Sequence, residues 1–295
     1  MPTYAFETLD VFTDTRFGGN PLAVVPDARG ISDADMQALA AEFNYSETTF
    51  VLPPADPANT ARVRIFNRTA EMPFAGHPNV GTGYVLANLG RDTGGVLRFE
   101  EIAGLVEVRA SRDAAGKVTG AEIDAPRPLV LGPELTAAQV AACVGVSAAD
   151  VVLDRHRPVQ ASLGVDFFFA EVAPGCLAGA GPDLAGFRKV AAEADLVGDR
   201  LSIFVYALDG NDVKARMFAP LSGTFEDAAT GSASATLAAL RLSLTDAADL
   251  RFTITQGVEM GRPSRLNVSA RRAADGVRAS VGGGCVPVFS GALSL

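Results

Sequence analysis

Two similar stretches of sequence indicate the fold of this chain. Residues 64–89 are RIFNRTAEMPFAGHPNVGTGYVLANL, and residues 216–240 are RMFAPLSGTFEDAATGSASATLAAL. Arg64-Ile65-Phe66 recurs as Arg216-Met217-Phe218, 152 positions later, and in each stretch a turn of small residues follows before a helix-like run. Matches this short also arise by chance. We interpret them as two copies of a strand–turn–helix unit, which predicts duplicated α+β domains that face each other.

Length and composition agree with a two-domain globular protein. At roughly 150 residues per domain, 295 residues predict two domains. A net charge of −9 argues against nucleic acid or an anionic membrane as the partner, because both select basic surfaces. No apolar run is long enough for a transmembrane helix, and Met1–Asp10 lacks the features of a signal peptide. We therefore expect a cytoplasmic protein.

Metal and nucleotide sites are not predicted. The three cysteines form no CxxC pair, which suits a reducing compartment, and the two histidines, His77 and His156, lie in no metal-binding spacing. Neither a phosphate-binding loop nor a dinucleotide-binding loop is present. We therefore expect no cofactor, and we interpret His156, which has charged neighbours, as a solvated surface residue.

Several helices and strands are predicted by local pattern. Ser32 with Asp35, and Thr136 with Gln139, have the spacing of capping boxes, so helices are predicted at 33–43 and shortly after Thr136. Apolar periodicity predicts another helix near Leu184 to Ala194. The segments that favour strands are Tyr4–Phe12, Ser46–Leu52, Arg62–Phe66, Val96–Ala110, Phe167–Val172 and Leu201–Leu208.

A polar, glycine-containing turn at residues 112–120 marks the predicted domain boundary, within about ten residues. We assign residues 1–118 to the first domain and residues 119–285 to the second. The tail, Val281–Leu295, is rich in strand-forming residues and could pair with either domain; we expect about residues 286–295 to return to the first.

The two small-residue turns are candidate anion sites. Backbone N–H groups at a helix start, together with the helix dipole, favour a carboxylate or phosphate. Gly76 lies in the first turn, and Thr230 and Gly231 lie in the second. These residues are predicted to bind a small anionic substrate. The alternative is that small residues are there only because a helix packs tightly on a strand.

Glu47 and His77 are candidate proton carriers. Glutamate is disfavoured in strands, and Glu47 lies within a strand pattern; if enclosed, its pKa would rise toward the range of a general acid–base. The alternative is an edge-strand glutamate in water. His77, at a predicted helix start, could shuttle a proton or simply bond to local backbone. In the second turn, Asp227 and Ser232 could act on substrate, or they could only favour the dipole and cap the helix.

Six ordered blocks resemble the phenazine-biosynthesis (PhzF-like) family over nearly the whole chain. They are Asp10-Val11-Phe12-Thr13, Gly18-Gly19-Asn20-Pro21-Leu22-Ala23-Val24-Val25, Asn44-Tyr45-Ser46-Glu47-Thr48-Thr49-Phe50, Phe74-Ala75-Gly76-His77-Pro78, Glu226-Asp227-Ala228-Ala229-Thr230-Gly231-Ser232-Ala233 and Gln256-Gly257-Val258-Glu259-Met260-Gly261-Arg262-Pro263. The resemblance implies a diaminopimelate-epimerase-like fold, in which two similar domains each wrap a curved sheet around a central helix and the site lies in the cleft between them.

The resemblance also implies a function. The family's phenazine enzyme isomerises trans-2,3-dihydro-3-hydroxyanthranilate without cofactor or metal, and its catalytic residues correspond to Glu47, His77, Asp227 and Ser232. With the turn residues we group Asn20, in the second block, as substrate-binding. Racemases of this fold use two cysteines, which both turns here lack. The resemblance further implies a homodimer.

We therefore expect a cofactor-independent isomerase that shifts a proton on a small carboxylate-bearing substrate, with Glu47 as base and then acid. The alternatives are a one-carboxylate epimerase or an elimination enzyme of the same fold, and a non-catalytic protein that binds a small ligand or another protein.

Overall fold

A computed structural model describes residues 1–194, 201–210 and 212–295. The chain forms two compact units. The first contains residues 1–126 and 280–295, and the second contains residues 127–279. Within the described residues, no helix combines the length and the apolar character needed to cross a bilayer.

Two of the helices begin where capping signals predict them. Ser32 accepts a hydrogen bond from the Asp35 backbone N–H, and Thr136 and Gln139 form a complete capping box. The α-helices of the described residues are α1 (Asp33–Phe43), α2 (Gly76–Asn88), α3 (Ala137–Val144), α4 (Leu184–Glu193) and α5 (Gly231–Ser243). Short 3-10 turns occur at Ala148–Asp150, Pro174–Gly179 and Pro220–Ser222.

The strands alternate with these helices in both units, which confirms an α+β chain. The first unit contains β1 (Thr3–Val11), β2 (Asn20–Val25), β3 (Glu47–Leu52), β4 (Ala61–Phe66), β5 (Glu71–Met72), β6 (Val96–Glu101), β7 (Gly104–Arg112) and β8 (Val118–Asp124). The second contains β9 (Val130–Glu134), β10 (Val151–Val152), β11 (Val159–Ser162), β12 (Asp166–Val172), β13 (Ile203–Asp209), β14 (Asp212–Ala219), β15 (Thr224–Asp227), β16 (Asp249–Gln256) and β17 (Ser264–Ala273). The last strand, β18 (Gly276–Ser294), has residues 280–294 in the first unit.

In the first unit the strands form a closed ring. β1 pairs with β2, β2 runs parallel to β3, and β3 pairs with β4. β4 runs parallel to β6, β6 pairs with β7, and β7 pairs with β8. β18 closes the ring, because its residues 280–284 pair with β8 and its later residues pair with β1. No edge of the ring is therefore left open, apart from the short addition of β5 to β4.

Helix α2 fills the ring. Every residue from Gly76 to Ala87 is buried, and the helix contacts β1, β2, β3, β7 and β8. Small residues make this possible: a methyl group at Gly81 would lie 2.5 Å from Leu22 Cδ2, and one at Gly83 would lie 2.4 Å from Val108 Cγ1. Close packing rather than helix propensity therefore selects glycine inside α2.

The second unit repeats this order of pairing. β12 runs parallel to β13, β13 pairs with β14, β14 pairs with β15 and runs parallel to β16, and β16 pairs with β17. The same succession of parallel and antiparallel pairs joins β2 to β7 in the first unit. Helix α5 is buried along most of its length and contacts β11, β12, β16 and β17.

The repeated tripeptides occupy equivalent places. Arg64 on β4 donates two hydrogen bonds to Glu71, of 2.7 and 2.6 Å, and lies 5.0 Å from the ring centre of Phe66. Arg216 on β14 does the same with Glu226, at 2.7 and 2.8 Å, and lies 5.1 Å from the ring centre of Phe218. Each arginine therefore connects its own strand, β4 or β14, by hydrogen bonds to the short strand, β5 or β15, that precedes the buried helix.

Two sequence-based assignments differ from the structure in detail. The predicted domain change after residue 118 falls at the start of β8, which pairs with β7 and β18, and the first unit continues to Pro126. The segment Val96–Ala110 is a hairpin of β6 and β7, because Gly104 has a φ of 118° that allows the turn between them.

Candidate functional site

Glu47 is the first residue of β3, and its carboxyl group faces the interior of the first unit. Thr49, on the same face of the strand, makes a 2.8 Å hydroxyl hydrogen bond with Thr82 of α2. The Glu47 side chain is only 16% exposed. Burial raises its pKa to about 7, although Ser46 and Arg68 act in the opposite direction. Interpreting Glu47 as an edge-strand glutamate in water is wrong, because β3 lies between β2 and β4.

His77 lies beside this carboxyl group. It is the second residue of α2, it is buried, and its Nδ1 atom is 3.4 Å from Glu47 Oε2. Ala75, which precedes the helix, provides no side-chain cap. The start of α2 therefore presents backbone N–H groups and the positive end of the helix dipole next to Glu47.

Asn20 supports the same corner of the first unit. It is the first residue of β2, it is buried, and its Oδ1 atom accepts a 3.0 Å hydrogen bond from the Ser46 hydroxyl. The structure thus brings Asn20, Gly76 and His77 to the same end of the first unit as Glu47. A carboxyl group with a pKa near neutrality at a helix start can exchange a proton with a bound anion.

The remaining predicted residues, Asp227, Thr230, Gly231 and Ser232, lie together in the second unit. Asp227 ends β15, and its Oδ2 atom accepts a 2.8 Å hydrogen bond from the Thr230 hydroxyl. Gly231 is the first residue of α5 and Ser232 is the second. Because Thr230 occupies the N-cap position, capping does not explain Ser232, and that interpretation is wrong.

Gln256, the last residue of β16, was missed as a site residue although it opens the sixth block. Its Nε2 atom donates to the backbone oxygen of Asp227 at 2.8 Å and to the Thr230 hydroxyl at 3.0 Å. Its Oε1 atom accepts from the Thr230 backbone N–H at 3.1 Å. Gly257 follows with a φ of 75°, and a methyl group there would lie 2.5 Å from the Ala228 carbonyl oxygen. The hydrogen bonds of Gln256 therefore fix the conformation of the turn before α5.

His156 is half-buried and hydrogen-bonded rather than fully solvated as predicted. Its Nε2 atom lies 2.8 Å from the Tyr206 hydroxyl, and its ring stacks on Tyr206 at 6.0 Å between centres. Tyr206 in turn donates to the buried carboxylate of Glu171. Its charged neighbours in sequence suggested a surface position, but Tyr206 of β13 also packs against the ring in the folded chain.

Metal-binding geometry is not seen in the described part of the chain, where no three His, Cys, Asp or Glu side chains come together as a metal site requires.

Comparisons with known proteins identify the family. Residues 9–291 match the family model described as phenazine biosynthesis-like protein. An uncharacterized isomerase of Mesorhizobium japonicum is 37% identical, with all of both chains covered. The trans-2,3-dihydro-3-hydroxyanthranilate isomerase of Pseudomonas aeruginosa is 33% identical over 94% of each chain. The crystal structure of a PhzF-family phenazine biosynthesis protein from Bacillus anthracis superposes with a TM-score of 0.88 over the whole of both chains, at 23% identity. The chain therefore belongs to the phenazine biosynthesis-like (PhzF) family.

Proposed function

We propose that this protein is a cofactor-independent isomerase in which Glu47 moves a proton on a small carboxylate-bearing substrate. The observation that carries the proposal is the buried Glu47 carboxyl group, with a pKa near 7, beside His77 at the start of a buried helix. A group with this pKa is populated in both protonation states near neutral pH. It can therefore take a proton from one carbon as carboxylate and return one to another carbon as acid.

His77 would hold the Glu47 carboxyl group in place while the proton moves. Its Nδ1 atom is near enough to share a hydrogen bond with Glu47 Oε2 after a small adjustment. The backbone N–H at Gly76 and the helix dipole would favour a negative substrate group at this end of α2. No atom is lost or gained in the reaction, because one proton leaves the substrate and one proton returns.

Asp227 and Ser232 are proposed to serve the same substrate as Glu47 and His77. The support is that all four residues lie within the range that matches one family model, and that Gln256 and Thr230 hold Asp227 in a defined orientation. In this proposal the N–H groups at Gly231 and Ser232 bind a carboxylate, and the Ser232 hydroxyl bonds a second polar group of the substrate. Residues that act on one transition state give non-additive losses when they are changed together, so a Glu47→Gln and Asp227→Asn double-mutant cycle tests the assignment.

The names of the relatives suggest the class of substrate. Two relatives described above are named isomerases, and one of them acts on trans-2,3-dihydro-3-hydroxyanthranilate, a cyclic amino acid. That compound is the first candidate to test, and other small cyclic carboxylates follow.

The experiment is turnover in deuterium oxide for wild type, Glu47→Gln and Glu47→Asp. Glu47→Gln keeps the shape but removes the proton carrier, so turnover should fall roughly 10²–10⁴-fold while ligand affinity changes little. Glu47→Asp retracts the carboxyl group and should lose less. Glu42→Gln, on the exposed face of α1, is the matched control and should behave as wild type.

The position of the deuterium separates the possible reactions. Incorporation at a new carbon with a moved double bond supports isomerisation, whereas incorporation at the original carbon with inverted configuration supports epimerisation. Near-wild-type turnover of Glu47→Gln would contradict the proposed role and direct attention to His77 or Asp227. Binding without exchange in any form would indicate a non-catalytic protein.

A further inference from the structure

Glu101, the last residue of β6, is a second buried carboxyl group in the first unit. Both of its carboxyl oxygens are inaccessible to solvent, and neither makes a hydrogen bond to any residue that the structure describes. Two buried, unsatisfied oxygens are costly if the group is a carboxylate. Burial raises the pKa of Glu101 to about 8, and the neighbouring Asn79 side chain lowers it only in part.

Strand register makes Glu101 the counterpart of Gln256. In the first unit, Ala61 and Arg62 of β4 stand opposite Phe99 and Glu100 of β6. In the second unit, the positions equivalent to Ala61 and Arg62 are Val213 and Lys214 of β14. They stand opposite Ile254 and Thr255 of β16. The next residue of β6 is Glu101, and the next residue of β16 is Gln256. Glu101 and Gln256 are therefore each the last residue of the strand that runs parallel to the repeated strand, which is β4 in the first unit and β14 in the second.

Gln256 shows what a side chain at this position can do. Its amide both donates and accepts hydrogen bonds, and so holds Thr230, the residue that precedes α5. A protonated glutamate has nearly the same shape as glutamine and also combines one donor with one acceptor, whereas a carboxylate only accepts. A neutral Glu101 can therefore act on α2 as Gln256 acts on α5.

Asn79, in the first turn of α2, supplies the acceptor that a neutral Glu101 needs. Its Nδ2 atom donates a 3.0 Å hydrogen bond to the backbone oxygen of Ala75, which fixes the orientation of the amide because that oxygen can only accept. Asn79 Oδ1 is buried and makes no hydrogen bond to a described residue. The side chain that adjoins Glu101 thus has one unsatisfied acceptor, and a carboxylic acid at Glu101 can supply the donor that this acceptor lacks, whereas a carboxylate cannot.

The charged groups near Glu101 are either engaged elsewhere or exposed. A surface depression of about 220 Å³ is lined by Glu101 together with the charged residues Arg62, Arg64, Glu71 and Glu100. Arg64 is bonded to Glu71, and Glu100 accepts hydrogen bonds from the Ala55 and Asp56 backbone. Arg62 is exposed. From α2 the polar groups of the first turn are Asn79 and His77, and from β3 the ionisable group is Glu47. Burial rather than a charged neighbour therefore governs the protonation of Glu101.

We propose that Glu101 is a positioning residue which, as a neutral acid, donates a hydrogen bond to Asn79 Oδ1 and so holds the first turn of α2, the turn that carries His77. Ionisation of Glu101 removes the proton that this hydrogen bond needs and leaves Asn79 Oδ1 without a donor. The helix start then loosens, and His77 moves relative to Glu47. Glu101 thus makes the geometry of this turn dependent on pH, whereas Gln256 makes the geometry of the equivalent turn independent of it.

Histidine NMR tests the proposal directly, because the chain contains only two histidines. Side-chain signals of isotopically labelled His77 are followed from pH 5 to 9.5, with His156→Gln used for assignment. In wild type, we expect the His77 signals to shift in a step near pH 8. In Glu101→Gln this step should vanish and the signals should keep their low-pH positions. Glu101→Leu, which cannot donate, should displace the His77 signals at every pH.

Two further variants sharpen the test. Glu47→Gln removes any step due to Glu47 near pH 7 and should leave the step near pH 8 in place. Gln256→Glu adds an equivalent acid to the second unit while Glu101 remains in the first. The Thr230 amide signal should then shift with pH, and the His77 signals should behave as in wild type. Persistence of the step near pH 8 in Glu101→Gln would overturn the proposal. So would a Glu101→Gln spectrum at pH 6 displaced as far as that of Glu101→Leu.

The consequence for turnover rests on the proposed function, whereas the NMR result does not. If His77 assists Glu47, wild-type kcat should fall about tenfold per pH unit above the Glu101 pKa, and Glu101→Gln should retain kcat there. Loss of the NMR step in Glu101→Gln without this change in kcat would leave Glu101 as a positioning residue and would remove His77 from the mechanism. The two failures are therefore distinguishable.

Discussion

At the scale of the residue, the surroundings of Glu47 turn an ordinary side chain into a group that titrates near neutrality. The sequence identifies Glu47 as unusual because glutamate is rare inside a strand. It does not reveal the cause of the raised pKa, which is the enclosure of the carboxyl group between β3 and the start of α2. The same holds for Glu101, which no local pattern distinguishes from other strand-end glutamates.

The raised pKa of Glu47 predicts how stability depends on pH. The folded-state pKa, about 7, lies above the ordinary value of 4.5, so the folded protein binds this proton more tightly than the unfolded chain does. This contribution is complete below about pH 4.5 and is lost as pH rises through 7. Relative to wild type, Glu47→Gln should therefore gain on the order of 3 kcal/mol between pH 4.5 and 8.

Thermal or denaturant unfolding of both proteins at several pH values measures this difference. Glu101 is present in both proteins, so its own pH dependence cancels in the comparison. Parallel stability curves for wild type and Glu47→Gln would show that the folded-state pKa of Glu47 is not raised above its ordinary value.

At the scale of the element, α2 is formed by its surroundings more than by its own sequence. It contains three glycines, at 76, 81 and 83, and a proline at its third position, a composition that a helix in water would not sustain. The ring of strands buries it on all sides, and contact with Leu22 and Val108 requires the missing side chains.

Gly81→Ala should destabilise the protein even though alanine is the better helix former. The added methyl group would lie 2.5 Å from Leu22 Cδ2 and 2.9 Å from Val11 Cγ2. Overpacking of this kind costs about 1–3 kcal/mol, which exceeds the gain of about 1 kcal/mol in propensity. The measurement is the free energy of unfolding. Gly175→Ala is the control, because a methyl group there meets no atom within 4 Å; equal stability of the two variants would contradict the packing argument.

At the scale of the whole molecule, the C-terminal strand completes a unit that begins almost 300 residues earlier. β18 pairs with β1 from Thr3 to Val11 and with β8 at residues 280–284. Closing a ring through the two ends of a chain fixes many residues at once, so the first unit depends on its last strand. The same order of strands in the second unit indicates that one strand–turn–helix plan was used twice.

Removal of residues 286–295 should destabilise the first unit selectively. The deletion takes away the partners of β1 and opens the ring around α2, so amides of β1 and α2 should lose protection from hydrogen exchange. Amides of β13, in the second unit, should keep theirs. If the β1 amides were as well protected in the shortened chain as in the full-length chain, pairing with β2 alone would be sufficient to hold this strand.

The sequence by itself determined the features that depend on neighbours along the chain. Helix α1 and its Ser32 cap, the capping box of α3 and the strand character of β3 and β4 follow from local spacing, and all are seen in the structure. The repeated Arg64 and Arg216 tripeptides likewise indicated two related units. The resemblance of the motifs then pointed to the family and to Glu47, His77, Asp227 and Ser232 as the candidate site.

Only the tertiary structure decided which side chains meet, because those contacts join strands far apart in sequence. Parallel pairing of β4 with β6 brings Glu101 to the start of α2, and parallel pairing of β14 with β16 brings Gln256 to the start of α5. A helix separates the two strands of each pair along the chain, so the hydrophobic periodicity of the sequence does not predict that they pair. Burial, which sets the pKa values of Glu47 and Glu101, is likewise a sum over distant elements. Local sequence chooses the element, but desolvation and hydrogen-bond partners are properties of the folded chain.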